Sequence, residues 1–236
     1  MTIFPVVSTI AFVGGITGFE NSGSGTSLTL TYTPTTGNFV HITACTDSDN
    51  PGQISAVDNN GNILPLIQNV DVRANPHGMA QFGGVAAAGA ASYTISWPGG
   101  GSQCGAALTE YSGATAAKAV SNSNGTSTSW SNALAITSVG NWIVTGFGSV
   151  TLGNLSTTTT TGTARETSDN STCYNQVVAI DNTNSSGNAA AGVISSGGTV
   201  LGWGVASFEL QAAVTFTASS IHATLSGTVS LVETLS

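Results

Sequence analysis

The sequence predicts an all-β protein: a jelly-roll-like antiparallel β-sandwich with additional N- and C-terminal strands. Three observations carry this. Short runs of alternating apolar and polar residues recur along the chain, as at residues 27–33, where Leu28, Leu30 and Tyr32 fall on one face and Thr29 and Thr31 on the other. Clusters of Gly, Asn, Ser and Pro separate these runs, at residues 98–101, 121–125 and 182–187. Helix formers such as Glu, Lys, Arg and Gln are scarce, and Gly and β-branched residues interrupt every long window.

Taken in order, Ile3, Val6, Val7, Thr9, Ile10 and Val13 give the first segment a β-branched character that favours a buried strand. Residues 1–19 hold no charge and therefore no basic region of the kind that opens a signal peptide. Pro5, Ser8, Thr9, Gly14, Gly15 and Thr17 interrupt the segment, which falls short of the roughly 20 apolar residues a membrane helix needs. Residues 38–45 form the next strand. Residues 53–57 and 63–68 flank Asp58-Asn59-Asn60-Gly61-Asn62, whose Asn-Gly marks a tight hairpin. Further strands are expected at 79–86, 92–97, 104–111, 127–137, 142–149, 176–180 and 201–210. The threonine run 157–161 lies in a stretch without apolar residues and reads as an exposed loop. No internal repeat is evident. Residues 1–211 are expected to form one sandwich domain.

Residues 212–236 differ in character. Val214, Phe216 and Ala218 alternate with Thr215 and Thr217, and Leu225, Val229, Leu231 and Val232 add a second apolar set. This tail is either an edge hairpin on the same domain or an arm that pairs with a neighbouring subunit, since an edge strand offers unpaired N–H and C=O groups to another chain. Val214, Phe216, Leu225, Val229 and Leu231 are accordingly the candidate subunit contacts.

Composition excludes several functions. Only Arg73, Lys118 and Arg165 are basic, against eleven Asp and Glu, for a net charge of −8. Three cations cannot neutralise a phosphate backbone or an anionic membrane surface, which argues against nucleic acid and lipid partners. A hydrophobic fraction of 40% argues against disorder. Charged residues are 6% of the chain, against about 25% in ordinary soluble proteins, so hydroxyls and amides provide the polar surface. Such surfaces are common on virions, cell envelopes and extracellular proteins. Cys45, Cys104 and Cys173 make an odd count without zinc spacing, and fit three buried thiols or one disulfide with a remaining thiol.

The central region also carries a likeness. Val57 to Asn62, Ala91-Ser92-Tyr93-Thr94-Ile95-Ser96-Trp97 and Leu108-Thr109-Glu110-Tyr111-Ser112-Gly113 are followed by Asn141-Trp142-Ile143-Val144 and a closing strand from Trp203 to Leu210. In this order they resemble a jelly-roll-like β-sandwich domain (Glu-Tyr-Ser-Gly type) of secreted bacterial surface proteins and phage structural proteins. The likeness spans roughly residues 22–211. It implies that fold and no established activity, so it transfers no catalytic residues.

Candidate chemistry is sparse. Asp47, Asp49, Asn50, Asp58 and Asn60 supply oxygen ligands of the sort calcium takes, but match no EF-hand spacing and equally suit turn capping. Glu110 and Glu209 are the acids for a glycosidase-like pair or, alternatively, strand-end acids bonded to hydroxyls and backbone N–H groups. A Ser–His–acid site has only His41, His77 and His222 to draw on, and no G-x-S-x-G elbow is present. Among Trp97, Trp130, Trp142 and Trp203, Trp130 lies in the polar segment 128–132 and is the candidate for glycan contact. No catalytic, cofactor or metal residue is assigned. The expectation is a non-enzymatic structural protein at a virion surface, a capsid decoration or tail or fibre component, associating with copies of itself or other surface subunits. The alternatives are a carbohydrate-binding or adhesive surface module and a subunit of an extracellular filament.

Overall fold

The computed structural model describes residues 3–46, 53–72, 77–98, 102–152, 155–168, 175–183, 190–196 and 199–218. They form an all-β sandwich whose strand order occurs twice. The first half holds β2 (Ala11–Gly25), β3 (Ser27–Thr31), β4 (Phe39–Thr46), β5 (Ser55–Asp58), β6 (Leu66–Val72), β7 (His77–Val85), β8 (Ser92–Ser96) and β9 (Ser102–Ser112). The second holds β10 (Ala114–Gly125), β11 (Ser129–Ser131), β12 (Trp142–Leu152), β13 (Leu155–Thr161), β14 (Thr163–Ser168), β15 (Asn175–Asn182), β16 (Ala191–Ser196) and β17 (Thr199–Ala212). Two further strands, β1 (Ile3–Val7) and β18 (Val214–Ala218), pair with each other.

The sheets run β2-β9-β4-β7-β6 with β3-β8-β5, and β10-β17-β12-β15-β14 with β11-β16-β13. Numbered within its own half, each pair reads 1-8-3-6-5 and 2-7-4, a jelly-roll order with the fifth strand moved to the edge of the larger sheet. The irregularities recur too. Register breaks where β6 passes β7, between Leu66 and Gln68, and where β14 passes β15, between Ala164 and Glu166. It breaks again in β2 between Phe12 and Gly14 and in β10 between Ala117 and Val120. The single sandwich expected from the sequence is therefore a doubled one.

The layers follow from which faces are apolar. Leu30, Tyr93 and Ile95 of the first small sheet pack on Ile42, Phe82 and Leu108 of the first large one. Trp130 and Ile194 do the same against Phe147, Ile180 and Val205 in the second half. The two large sheets meet through Phe39, Tyr111, Val144, Phe208 and Leu210 at one end and Cys45, Met79, Val150 and Val177 at the other. Every residue of β4 is buried, because it lies in the middle of an inner sheet covered on both faces. Burying each large side chain contributes about 1.5–3 kcal/mol.

The inner contact is a knob-in-hole arrangement between equivalent positions. Val40 stands opposite Glu110 as Ile143 stands opposite Glu209, so Thr43 and Cys45 hold the places of Gly146 and Gly148. A Cβ on Gly146 would overlap the Thr43 hydroxyl and crowd Gln81 Nε2, and one on Gly148 would come within 3.0 Å of Cys45 Cβ. Gly204 likewise leaves room for Val70 and Val72.

Several expectations are corrected. The run 157–161 is not a loop but part of β13; β-branched threonines suit an edge strand, and Thr158 and Thr160 are exposed while Thr159 and Thr161 are half-buried. Residues 121–125 continue β10 instead of turning, and only Ser129–Ser131 of the 127–137 stretch is strand. The first strand is not buried, since Val6 and Val7 are 47% and 49% exposed. It pairs with β18 in a ribbon outside the sandwich, with Phe216 opposite Pro5 and Val214 opposite Val7. Leu225, Val229, Leu231 and Cys173 lie outside the described residues.

Gly146→Ala is expected to lower stability by about 1–3 kcal/mol through overpacking. Gly84→Ala, whose added carbon would meet only Pro65 Cδ at 3.4 Å, should stay within about 0.5 kcal/mol of wild type. Urea denaturation of the pair checks this.

Candidate functional site

Each half carries one buried glutamate at the same strand position, and each accepts hydrogen bonds from the loop leading into the half's third strand. Glu110 Oε1 accepts from Thr35 N at 2.9 Å and Asn38 Nδ2 at 2.5 Å, and Oε2 from the Tyr32 hydroxyl at 2.7 Å. Glu209 Oε1 accepts from Thr137 N and Asn141 Nδ2, both at 2.7 Å, and Oε2 from the Thr137 hydroxyl at 2.7 Å. The asparagines follow Gly37 and Gly140, whose φ of +89° and +88° lies in the left-handed region that favours glycine. Burial alone would raise both carboxyl pKa values, but the donors outweigh it and hold them below 4.5. These are saturated, ionised loop clamps. They lie in different halves, and each carboxylate is taken up by the donors of its own loop. Bonding of strand-end acids to hydroxyls and backbone N–H groups describes both.

His41 lies between the two inner sheets and is fully buried. Gln68 Nε2 donates to Gln81 Oε1 at 2.9 Å, which orients the Gln81 amide so that its nitrogen faces His41 Nε2 at 3.2 Å. An amide nitrogen only donates, so His41 Nε2 accepts and Nδ1 carries the hydrogen, donating to Thr109 Oγ1 at 3.1 Å. Thr43 Oγ1 also lies 3.0 Å from Nε2. Gln68 Nε2 reaches across to the Ser207 carbonyl at 2.8 Å, tying the first half to the second. Burial depresses the imidazole pKa to about 3. The bonding partners of His41 are threonines and a glutamine, which provide neither the serine nor the carboxylate of a nucleophilic triad.

A second tie crosses at another rim. Arg165 Nε donates to Asp181 Oδ2 at 2.6 Å, and its guanidinium lies 4.7 Å from the centre of the Phe12 ring in the first half. Burial pushes the Asp181 carboxyl up in pKa against the pull of Arg165.

The remaining candidates are accounted for by packing. Trp130 is not a glycan platform: it is 2% exposed and its ring stacks on Phe147 at 4.5 Å and 27°. The alternation of β11 turns Ser129 and Ser131 outward and the indole inward, where Gly192 has no side chain to obstruct it. Trp97 and Trp203 are buried, and Trp142 sits edge-on to Tyr111. Asp58 accepts from Asn60 N, Asn62 N and Asn62 Nδ2 at 2.8–2.9 Å, the geometry of a capped turn. Asp47, Asp49, Asn50 and His222 lie outside the described residues. Cys45 and Cys104 are buried thiols.

Sequence reasoning missed the loop-clamp repeat. Its signal is short: Thr35-Thr36-Gly37-Asn38-Phe39 and Thr137-Ser138-Val139-Gly140-Asn141-Trp142 each precede a third strand, and each half ends in a strand with one glutamate. It also missed an exposed apolar ledge. Two adjoining hollows of about 270 and 390 Å³ share Pro65 and Gly84, flanked by Ile63, Val85, Leu66 and Val120. No family model and no curated protein matches the chain.

The pKa directions set the acid behaviour. A carboxyl held below its unfolded pKa contributes stability that is complete above about pH 5 and drains away as pH falls through the folded value. Glu110→Gln is expected to cost about 1–3 kcal/mol at neutral pH, by urea denaturation, because a second amide would face the loop's donors. The difference from wild type should shrink as the pH is lowered through the carboxylate range. His41 acts in a window set by its own depressed pKa. The unfolded chain takes up its proton below about 6.5, while the folded one stays neutral down to about 3. Wild-type stability should therefore fall more steeply than that of His41→Gln, by about 1.4 kcal/mol per pH unit between about pH 6 and 4. Parallel slopes would contradict the assignment.

Proposed function

We propose that this protein is a non-enzymatic structural component of a virion surface, a capsid decoration protein or a tail or fibre component, that associates with copies of itself or other surface subunits. The observation that carries the reading is the β1–β18 ribbon. Among the described residues it is two strands wide, so within them each strand has one edge without a strand partner. Val6, Val7 and Val214 on it are 45–49% exposed. Open edges with apolar side chains are what another chain's strand pairs with. Behind the ribbon stands a body stiffened by two jelly rolls and buried loop clamps, in keeping with a load-carrying subunit. The buried acids and His41 are already bonded to neighbouring side chains and backbone, which favours scaffolding over chemistry. The likeness to sandwich domains of phage structural proteins points the same way.

With charged residues at 6% of the chain, association depends on apolar area and on hydroxyl and amide hydrogen bonds. Light scattering of the full chain should show a dissociation constant that changes by less than about threefold between about 0.1 and 1 M NaCl, where the screening length shrinks from about 10 to 3 Å. Breakdown of the assembly in high salt would contradict the proposal.

A further inference from the structure

The apolar ledge and the end of the chain fit one another. Ile63 is 73% exposed, Val85 52%, Val120 50% and Leu66 44%, around the hollows that share Pro65 and Gly84. A contiguous aliphatic surface of this kind marks a binding face, whereas scattered single residues do not. Lys118 lines the second hollow. It is the only lysine in the chain, and among the described residues it forms no ion pair.

The segment that follows β18 has the complementary pattern. Ile221, Leu225, Val229, Leu231 and Leu235 stand at odd positions, while His222, Thr224, Ser226, Thr228, Ser230 and Thr234 stand at even ones; Val232 and Glu233 are out of phase, which puts Glu233 on the apolar side. This is the period of a strand with one apolar face. Glu233 is its only carboxylate side chain. So many aliphatic side chains in so short a stretch need cover from water. The segment's starting point decides whose ledge provides it. Among the described residues β1 and β18 pair extensively only with each other, and Ala218 lies opposite Ile3, at the end of the ribbon away from the Ser8–Ala213 bond that joins it to the body. At about 3.3 Å per residue the ribbon carries the chain about 16 Å outward before residue 219. Ser219 and Ser220 add up to about 7 Å, so residue 221 starts beside the tip and the ledge that receives it belongs to a copy lying next to that tip.

We propose that residues 221–235 of one copy seat as an added strand on the Ile63–Leu66–Val85–Val120 ledge of a second copy, with Glu233 meeting Lys118. This rests on the assembling role proposed above and names its partner as another copy of the chain.

Sedimentation of the full chain and of charge-reversed variants over a wide concentration range tests it. Lys118→Glu and Glu233→Lys should each weaken association by roughly three- to tenfold, and the double variant should return to near the wild-type value. Removing residues 219–236 should leave a folded chain that associates at least about tenfold more weakly than wild type. If the shortened chain still assembles as tightly as wild type, or the double variant shows no rescue, the arm is wrong while the assembling role stands. If the full chain is monomeric throughout, both fail. If hydrogen exchange shows the ledge protected in a monomer until the tail is removed, the tail covers its own ledge and the exchange between copies is overturned.

Discussion

Where the second inner sheet meets the first, its middle is nearly bare. Gly146, Gly148 and Gly204 present no side chains, and Thr43, Gln81, Cys45, Met79, Val70 and Val72 of the first sheet fill the space. Each glycine in a strand costs about 0.5–1 kcal/mol relative to alanine, so the close approach has to offset that loss by burial. The arrangement also distinguishes the halves. Thr43 and Gly146 occupy the same place in their respective jelly rolls, as do Cys45 and Gly148, yet one member of each pair is a knob and the other a hole. Two identical first halves would collide there, and two identical second halves would leave a void. The halves share a topology but are specialised for each other.

The polar content of that interface obeys the same constraint. His41, Gln81, Gln68 and Thr109 are buried far from water, and each can stay there only because the next group in line supplies its partner. The contact of Gln68 with the Ser207 carbonyl, and of Arg165 with the Phe12 ring, fix the lateral register of the two sheets. The apolar clusters alone would leave that register less well determined.

Much of the fold was legible in the sequence. Period-two runs such as residues 27–33 and 38–45 became β3 and β4; the Asn-Gly turn formed, but the tight hairpin expected around it did not, because β5 and β6 belong to different sheets and its flanks meet only in the single bridge of Val57 to Ile63. What escaped has physical reasons. β13 is written in threonine, whose branching suits a strand although its hydroxyl suggests a loop. β10 ends in Ser121–Gly125, residues that also make turns; here Asn122 and Asn124 bond to Gln68 and Asp71 of β6, which keeps them extended. Trp130 sits among serines, and nothing local shows that its partner is Phe147 or that Gly192 clears its place. The duplication was hidden because each jelly roll fills its core with different residues; only the turn glycines, the asparagines after them and the clamping glutamates keep their chemistry.

The proposed assembling role also requires stiffness: a body that holds its ribbon and ledge in fixed positions needs two jelly rolls that move as one. Native-state hydrogen exchange across β4, β9, β12 and β17 tests this most directly. If the inner contact locks the halves, these strands open together with a single free energy, the highest in the molecule. If the strands of one half exchange through a separate, lower-energy opening while the other half stays closed, the halves are merely tethered and the account of a single rigid piece is contradicted.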